Sequence, residues 1–187
     1  MVPISEKRGG QGIGLSISSF HDRFDELCRE HLRQKKARAF AFIFHDVEDG
    51  DIQEILENQG ALLKLDRLAG KNLSIFYLQS SRREAIEYFN SHFLSILGVA
   101  GEATPPCVVF FKLENDKIDE VMIAQLDNAD LINGFHELYG VINRYVEEKT
   151  TNLSAPMQYL KWIKRGADVL RIEVFRAALK RALEHML

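Results

Sequence analysis

Six consecutive apolar residues, Ala39 to Phe44, form the run that most constrains how this chain can fold. The run has the length of a single strand and contains no polar position, so neither of its faces is suited to contact with water. A strand that is covered on both faces needs packed elements on each side of its sheet. The run therefore predicts a central strand in a layered α/β domain.

Helical and extended patterns alternate around this run. Apolar residues recur at the spacing of an amphipathic helix in residues 18–36, 51–69, 81–97 and 128–146. Further strands are predicted at residues 72–78, at 104–112, where a proline pair opens the strand, and at 118–126. The turn at 114–117 joins the last two strands, which predicts an antiparallel hairpin. The sequence therefore predicts an α/β fold in which a mixed sheet is flanked by helices.

Two of the predicted helices carry apolar positions that we expect to face the sheet. In the helix over 51–69, which Gly60 is expected to bend or interrupt, these positions are Ile52, Ile55, Leu56, Leu62 and Leu63. In the last helix they are Leu131, Ile132, Phe135, Leu138, Tyr139, Ile142 and Val146.

The two ends of the chain differ in composition from the middle. Residues 1–17 are Gly-rich and polar, and we predict a flexible N-terminal segment that precedes a domain at 18–150. Residues 151–187 are predicted to form an amphipathic helical extension. This extension has seven Lys/Arg and three acidic residues, a net charge of +4, whereas the rest of the chain sums to −7.

Composition also indicates the cellular compartment of the protein and the partners it excludes. A net charge of −3 does not imply a polyanionic partner. No apolar run approaches the ~18–20 residues that cross a bilayer, and the N-terminus lacks the apolar core of a signal peptide. Cys28 and Cys107 have neither CxxC nor metal-ligand spacing, which is typical of a reducing compartment. We expect a cytoplasmic protein that does not insert into membranes.

An acidic stretch follows the central apolar run. Residues 45–54 contain five carboxylates and one imidazole. Such oxygen-rich clusters suit Ca²⁺ or Mg²⁺, but the spacing does not follow the EF-hand pattern. Acidic residues also stabilise the N-terminal end of a helix, by about 0.3–1 kcal/mol each. We interpret Asp49 and Asp51 as the start of a helix, and predict no metal and no cofactor.

The chain resembles the thioredoxin-fold family over about residues 18–148. The resemblance rests on the order of elements and on PPCVVFFKLENDKIDEVMI, which is similar to the family's cis-proline, strand and hairpin. Pro106 falls at the position of the family's cis-proline. The stretch FIFHDVEDGDI lines up with the strand and helix start that carry the family's CxxC motif, and Asp49 and Ile52 fall where the family has its two cysteines.

The resemblance implies a thioredoxin-like fold with a C-terminal helical extension but without redox chemistry. Dithiol exchange needs an attacking and a resolving thiol within one turn, and no cysteine lies between Cys28 and Cys107. In the family, the cis-proline loop and the neighbouring helix start receive polypeptide. We therefore expect a protein-interaction or adaptor module with a protein partner. The predicted partner-binding residues are Asp49, Asp51, Thr104, Pro105, Pro106, Trp162 and Phe175.

Three alternatives remain open from the sequence. The apolar stripe of residues 152–187 can pack on its own domain or join two copies in a homodimer. Cys107 directly follows Pro106, which suggests a single-thiol enzyme, although its apolar neighbours favour an inert thiol. Five cations of the extension suggest polyanion binding, but a solvated helix face also accounts for them, and we do not expect nucleic acid as a partner. These cations are Arg165, Arg171, Arg176, Lys180 and Arg181.

Overall fold

The computed structural model describes residues 2–5, 15–16, 24, 26, 29, 38–46, 50–57, 59–70, 73–80, 82–114, 117–126, 131–151, 160–163 and 177. The strands are β1 (Val2–Ser5), β2 (Leu15–Ser16), β3 (Arg38–Phe44), β4 (Leu73–Gln79), β5 (Cys107–Glu114), β6 (Lys117–Gln125) and β7 (Leu160–Ile163). The helices with defined bounds are α1 (Gly50–Glu57), α2 (Gln59–Ala69), α3 (Arg83–Ile96) and α4 (Leu131–Thr151). The predicted α/β class is confirmed.

One mixed sheet contains all of these strands, in the order β2-β1-β4-β3-β5-β6-β7. The neighbours among β2, β1, β4 and β3 are parallel, whereas β5, β6 and β7 each run antiparallel to the strand before them in this order. The connection from β3 to β4 contains α1 and α2 and returns the chain to a parallel pair, whereas only two residues separate β5 from β6, which are antiparallel. The predicted hairpin is confirmed.

Strand β3 occupies the centre of the sheet and is covered on both faces. Phe40, Phe42 and Phe44 are fully buried in one cluster with the inward side of α3. Ala41 and Ile43 are fully buried in a second cluster, which includes residues of α1, α2 and α4. Successive side chains of a strand point to opposite faces, so an unbroken apolar run is what a two-sided core requires.

Phenylalanine side chains fill the first of these clusters. The ring of Phe42 lies 5.2 Å from that of Phe93, 5.5 Å from that of Phe76 and 5.8 Å from that of Phe111, measured between centroids. Aromatic pairs at such distances contribute about 0.5–1.5 kcal/mol beyond the burial of their area. The α3 face of the sheet is therefore held by a continuous aromatic layer.

The helix predicted over residues 51–69 is described as α1 (Gly50–Glu57) and α2 (Gln59–Ala69), and Gly60, where a bend or interruption was expected, is helical within α2. The apolar side of α2 also differs from the prediction. Leu63 is 58% exposed, whereas Leu65 and Ala69, one turn apart, are buried. Within α2, Leu65 and Ala69 face the core, and Leu65 takes the place predicted for Leu63.

Helix α4 shows a smaller difference of the same kind. Leu138 and Ile142 are buried as predicted, but Tyr139 is 37% exposed. Tyr145, which was not predicted to be buried, stacks on Phe110 of β5 with ring centroids 4.2 Å apart. The buried side of α4 is therefore turned towards Tyr145 and away from Tyr139.

The structure differs from the prediction at the N-terminus, where residues 2–5 form β1 within the sheet. Val2–Ser5 pairs in parallel with residues 76–79 of β4, and Ile4 is fully buried in the α3-side cluster. Pro3 obscured this strand in the sequence, because proline lacks an N–H group and is rare inside strands. The predicted flexible segment of residues 1–17 therefore contains two of the seven strands.

A second difference lies in the predicted C-terminal helical extension, where residues 160–163 form β7. This strand pairs antiparallel with residues 121–124 of β6. Pairing gives β6 a neighbour on its outer edge, which an apolar strand needs in order to satisfy its backbone. Ala177 is helical, and the other residues of the predicted extension after 163 lie outside the described residues.

Candidate functional site

Several predicted partner-binding residues lie at one end of the sheet, where β3 ends and β5 begins. Phe44, the last residue of β3, pairs with Cys107, the first residue of β5. The residues that follow Phe44 and those that precede Cys107 therefore leave the sheet from the same end. Gln125, the last residue of β6, also pairs with Cys107. We call this the loop end of the sheet.

Thr104, Pro105 and Pro106 form a segment directly before β5, which we call the proline loop. The peptide bond between the two prolines is cis. Thr104 is exposed, and both prolines are partly exposed. Three of the predicted partner-binding residues are thus together and accessible at the loop end.

Gln125 fixes the conformation of the proline loop, although nothing in its sequence context indicated this role. Its Oε1 accepts a hydrogen bond from the Thr104 N–H at 3.2 Å. Its Nε2 donates to the carbonyl oxygens of Thr104 and Pro106, the latter at 2.9 Å. The N–H of Leu126 donates to the same Pro106 carbonyl at 3.0 Å. The end of β6 therefore holds the loop through three side-chain bonds and one backbone bond.

His45 and Asn90 tie the end of β3 to its neighbours beneath the surface. The Nε2 of His45 lies 3.0 Å from the carbonyl oxygen of Leu78, near the end of β4. Asn90 of α3 donates from Nδ2 to the carbonyl oxygen of His45 at 2.8 Å. Both side chains are buried, with 4% and 8% of their surface exposed. Sequence reasoning missed Asn90, which lies among the apolar positions of an amphipathic helix.

The hydrogen bonds of His45 also define what its ring can do. A carbonyl oxygen only accepts, so a ring nitrogen that carries a proton can donate to the carbonyl group that it faces. Nδ1 lies 3.3 Å from the carbonyl oxygen of Asp46. A buried ring between two carbonyl groups is suited to positioning the backbone. We assign His45 a structural role.

The thiol of Cys107 lies below the proline loop but is poorly suited to catalysis. The residue is fully buried, and its thiol is free. Burial raises the pKa of Cys107 from 9.0 to about 12, because the apolar surroundings disfavour the thiolate. Since the thiolate is the nucleophile, these surroundings argue against a single-thiol enzyme. Cys28 lies outside the described residues.

The acidic stretch leads into a helix, as predicted. Helix α1 begins at Gly50, and Asp51 lies in its first turn. Asp46 is partly exposed at the end of β3, while Asp49 lies outside the described residues. In the described part of the chain, no three His, Cys, Asp or Glu side chains are grouped so that they could hold a metal ion. Negative charge at this helix start has a sufficient explanation in the helix dipole.

Two further predicted partner-binding residues, Trp162 and Phe175, belong to the C-terminal part of the chain. Trp162 belongs to β7 and pairs with Met122, in the interior of β6. Phe175 lies outside the described residues, as do the five cations assigned to the extension. Self-association and polyanion binding through the extension therefore stay predictions from the sequence.

Comparison of the chain with protein-family models, with curated proteins and with solved structures gives no match. Within the described ranges, no helix combines the length and the apolar character needed to cross a bilayer. The loop end is therefore interpreted from its own geometry and chemistry.

Proposed function

We propose that this chain is a thioredoxin-like protein without redox activity, which binds another protein at the loop end of its sheet. The inner strand order β1-β4-β3-β5-β6 supports this fold, because three parallel strands are followed by two antiparallel ones. The cis peptide bond at Pro106, directly before β5, is in keeping with the same assignment. The observation that carries the functional proposal is an accessible proline loop beside which the thiol of Cys107, the one cysteine among the described residues, is buried.

The side chains near the loop favour binding over electron transfer. Asp49 and Ile52 stand where a dithiol enzyme of this fold would have its cysteines, and Ile52 is 1% exposed in the core. Cys107, whose pKa is about 12, is protonated at neutral pH. Thiol–disulfide exchange begins with attack by a thiolate. We therefore expect no turnover when the protein is assayed for reduction of insulin.

The loop also has properties that suit protein recognition. Proline rings are rigid, so little conformational entropy is lost when a partner covers them. The hydrogen bonds from Gln125 hold Thr104 and Pro106 in place before a partner arrives. Preorganisation of this kind lowers the entropic cost of association. The geometry therefore favours a binding module or adaptor.

A photo-crosslinking amino acid at position 104 tests the proposal in the cells that express the protein. The matched control carries the same amino acid at Lys117, which is exposed at the opposite end of the β5–β6 hairpin. We expect a crosslinked protein of defined mass from position 104 and none of that mass from position 117. Equal crosslinking from both positions, or none from position 104, would contradict the proposal.

A further inference from the structure

We infer that the side chain of Gln125 makes the backbone hydrogen bonds that an added peptide strand would make at the proline loop. A partner therefore binds the side chains of this loop and not its backbone. The inference rests on the proposed function, since it specifies how the same surface is recognised. It follows from the hydrogen-bonding capacity of the three loop residues.

The loop has a single backbone donor, and Gln125 uses it. An extended peptide joins a sheet by exchanging N–H and C=O bonds with exposed backbone. Pro105 and Pro106 have no N–H group, which leaves only that of Thr104. This N–H donates to the Oε1 of Gln125 at 3.2 Å. No backbone donor of the loop remains for an incoming strand.

Two backbone acceptors of the loop are also engaged. The carbonyl oxygen of Thr104 accepts from the Nε2 of Gln125, so the Gln125 amide both accepts from and donates to Thr104. Paired residues in an antiparallel sheet exchange two bonds in this same way. The carbonyl oxygen of Pro106 accepts from Gln125 and from the N–H of Leu126, which uses both of its lone pairs. The side-chain amide thus replaces a peptide group of a neighbouring strand.

The chemistry of these bonds requires an amide at position 125. With the amide turned over, its NH₂ group would face the N–H of Thr104 and its oxygen would face two carbonyl oxygens. Only the observed orientation satisfies all three contacts. A carboxylate could accept from Thr104 but would be repelled by both carbonyl groups.

These constraints define the kind of partner that the loop accepts. The side-chain groups of the loop that can contact a partner are the exposed Thr104 side chain and the partly exposed rings of Pro105 and Pro106. Rings of this kind are recognised by an apolar or aromatic pocket. The partner is therefore a folded protein surface that provides such a pocket, and not an extended peptide that pairs with the loop backbone.

Amide hydrogen exchange at Thr104 tests the role of Gln125 without a partner. In the wild-type protein we expect this amide to exchange about tenfold more slowly than in Gln125→Ala, as one net hydrogen bond allows. Gln125→Met, which keeps the length of the side chain but lacks the amide, should match Gln125→Ala. The control Gln79→Ala removes an exposed glutamine at the end of β4 and should match the wild type. Equal exchange in the wild type and both Gln125 variants would overturn the inference.

Titration with a capped hexapeptide of alternating Thr and Val, followed by ¹H–¹⁵N spectra, tests the partner class. We expect the Thr104 amide of the wild-type protein to keep its chemical shift throughout. A saturable shift of that amide would overturn the inference. If Thr104 is protected as expected but position 104 forms no crosslink in cells, the proposed function fails while the role of Gln125 stands.

Discussion

Three polar side chains contact backbone carbonyl groups at the loop end, where the strands end and their carbonyl groups no longer pair with a neighbouring strand. These side chains are those of Asn90, His45 and Gln125. Asn90 donates to the carbonyl of His45, and the Nε2 of His45 in turn lies 3.0 Å from the carbonyl oxygen of Leu78. Gln125 donates to the carbonyls of Thr104 and Pro106. A backbone group that is buried without a partner is costly, so these side chains determine the geometry of the loop end.

The bond from Asn90 predicts a measurable loss of stability. Asn90→Ala leaves the buried carbonyl of His45 without its donor, which should lower the free energy of unfolding by about 1–3 kcal/mol. The matched control is Asn143→Ala, which makes the same change within a helix but breaks only an exposed bond to Glu147. The control should change stability by less than about 0.5 kcal/mol. Urea unfolding of both variants measures the difference, and equal losses would contradict the role assigned to Asn90.

The buried thiol of Cys107 predicts a pH dependence of stability. Burial raises its pKa from 9.0 to about 12, so above pH 9 the thiol ionises in the unfolded chain but not in the folded one. The stabilisation is therefore complete below pH 9 and falls by about 1.4 kcal/mol per pH unit until the folded pKa is reached.

Unfolding of the wild type and of Cys107→Ala at pH 8 and pH 10.5 isolates this contribution from other titrating groups. The stability of the wild type relative to the variant should decrease by about 2 kcal/mol over this interval. A difference that does not change with pH would show that the thiol ionises equally in both states.

At the scale of elements, the sequence predicted β3 to β6 and the helices between them, because their apolar periodicity is set by burial against the sheet. The start of β5 near the proline pair was predicted from local sequence too, because a strand accepts proline at its first positions. Strand β1 and strand β7 were missed, since each is only four residues long and is fixed by pairing with a distant strand. Gln125 was missed because its partners lie about twenty residues away in sequence, on the other strand of the hairpin.

The burial pattern of α2 predicts effects of different size for two of its leucines, Leu63 and Leu65. Leu65→Ala should lower the free energy of unfolding by about 2–5 kcal/mol, because Leu65 is fully buried in the sheet-facing cluster. Leu63→Ala removes the same atoms from a side chain that is 58% exposed, and should cost less than about 0.5 kcal/mol. Thermal or urea unfolding compares the two variants directly. A larger loss for Leu63→Ala would restore the apolar side predicted from the sequence.

On the scale of the whole molecule, the mixed sheet is buried on both faces, and the proline loop lies at one end of it. The aromatic layer under α3 and the second cluster under α1, α2 and α4 cover β3 on both faces. The proline loop lies at the end of the β3–β5 strand pair and is held by Gln125. In the part of the chain that the structure describes, the thiol at this end is that of Cys107, which is buried, so we propose recognition as the function of this surface.

Co-purification from the cells that express the protein tests most directly whether the proline loop binds another protein. Thr104→Arg places a bulky cation on the exposed loop but leaves the backbone bonds of Thr104 to Gln125 intact, and Lys117→Glu is the control at the other end of the hairpin. We predict that one protein is recovered in stoichiometric amount with the wild type and with Lys117→Glu, and is lost with Thr104→Arg. Recovery of that protein in equal amount with all three chains would contradict the account.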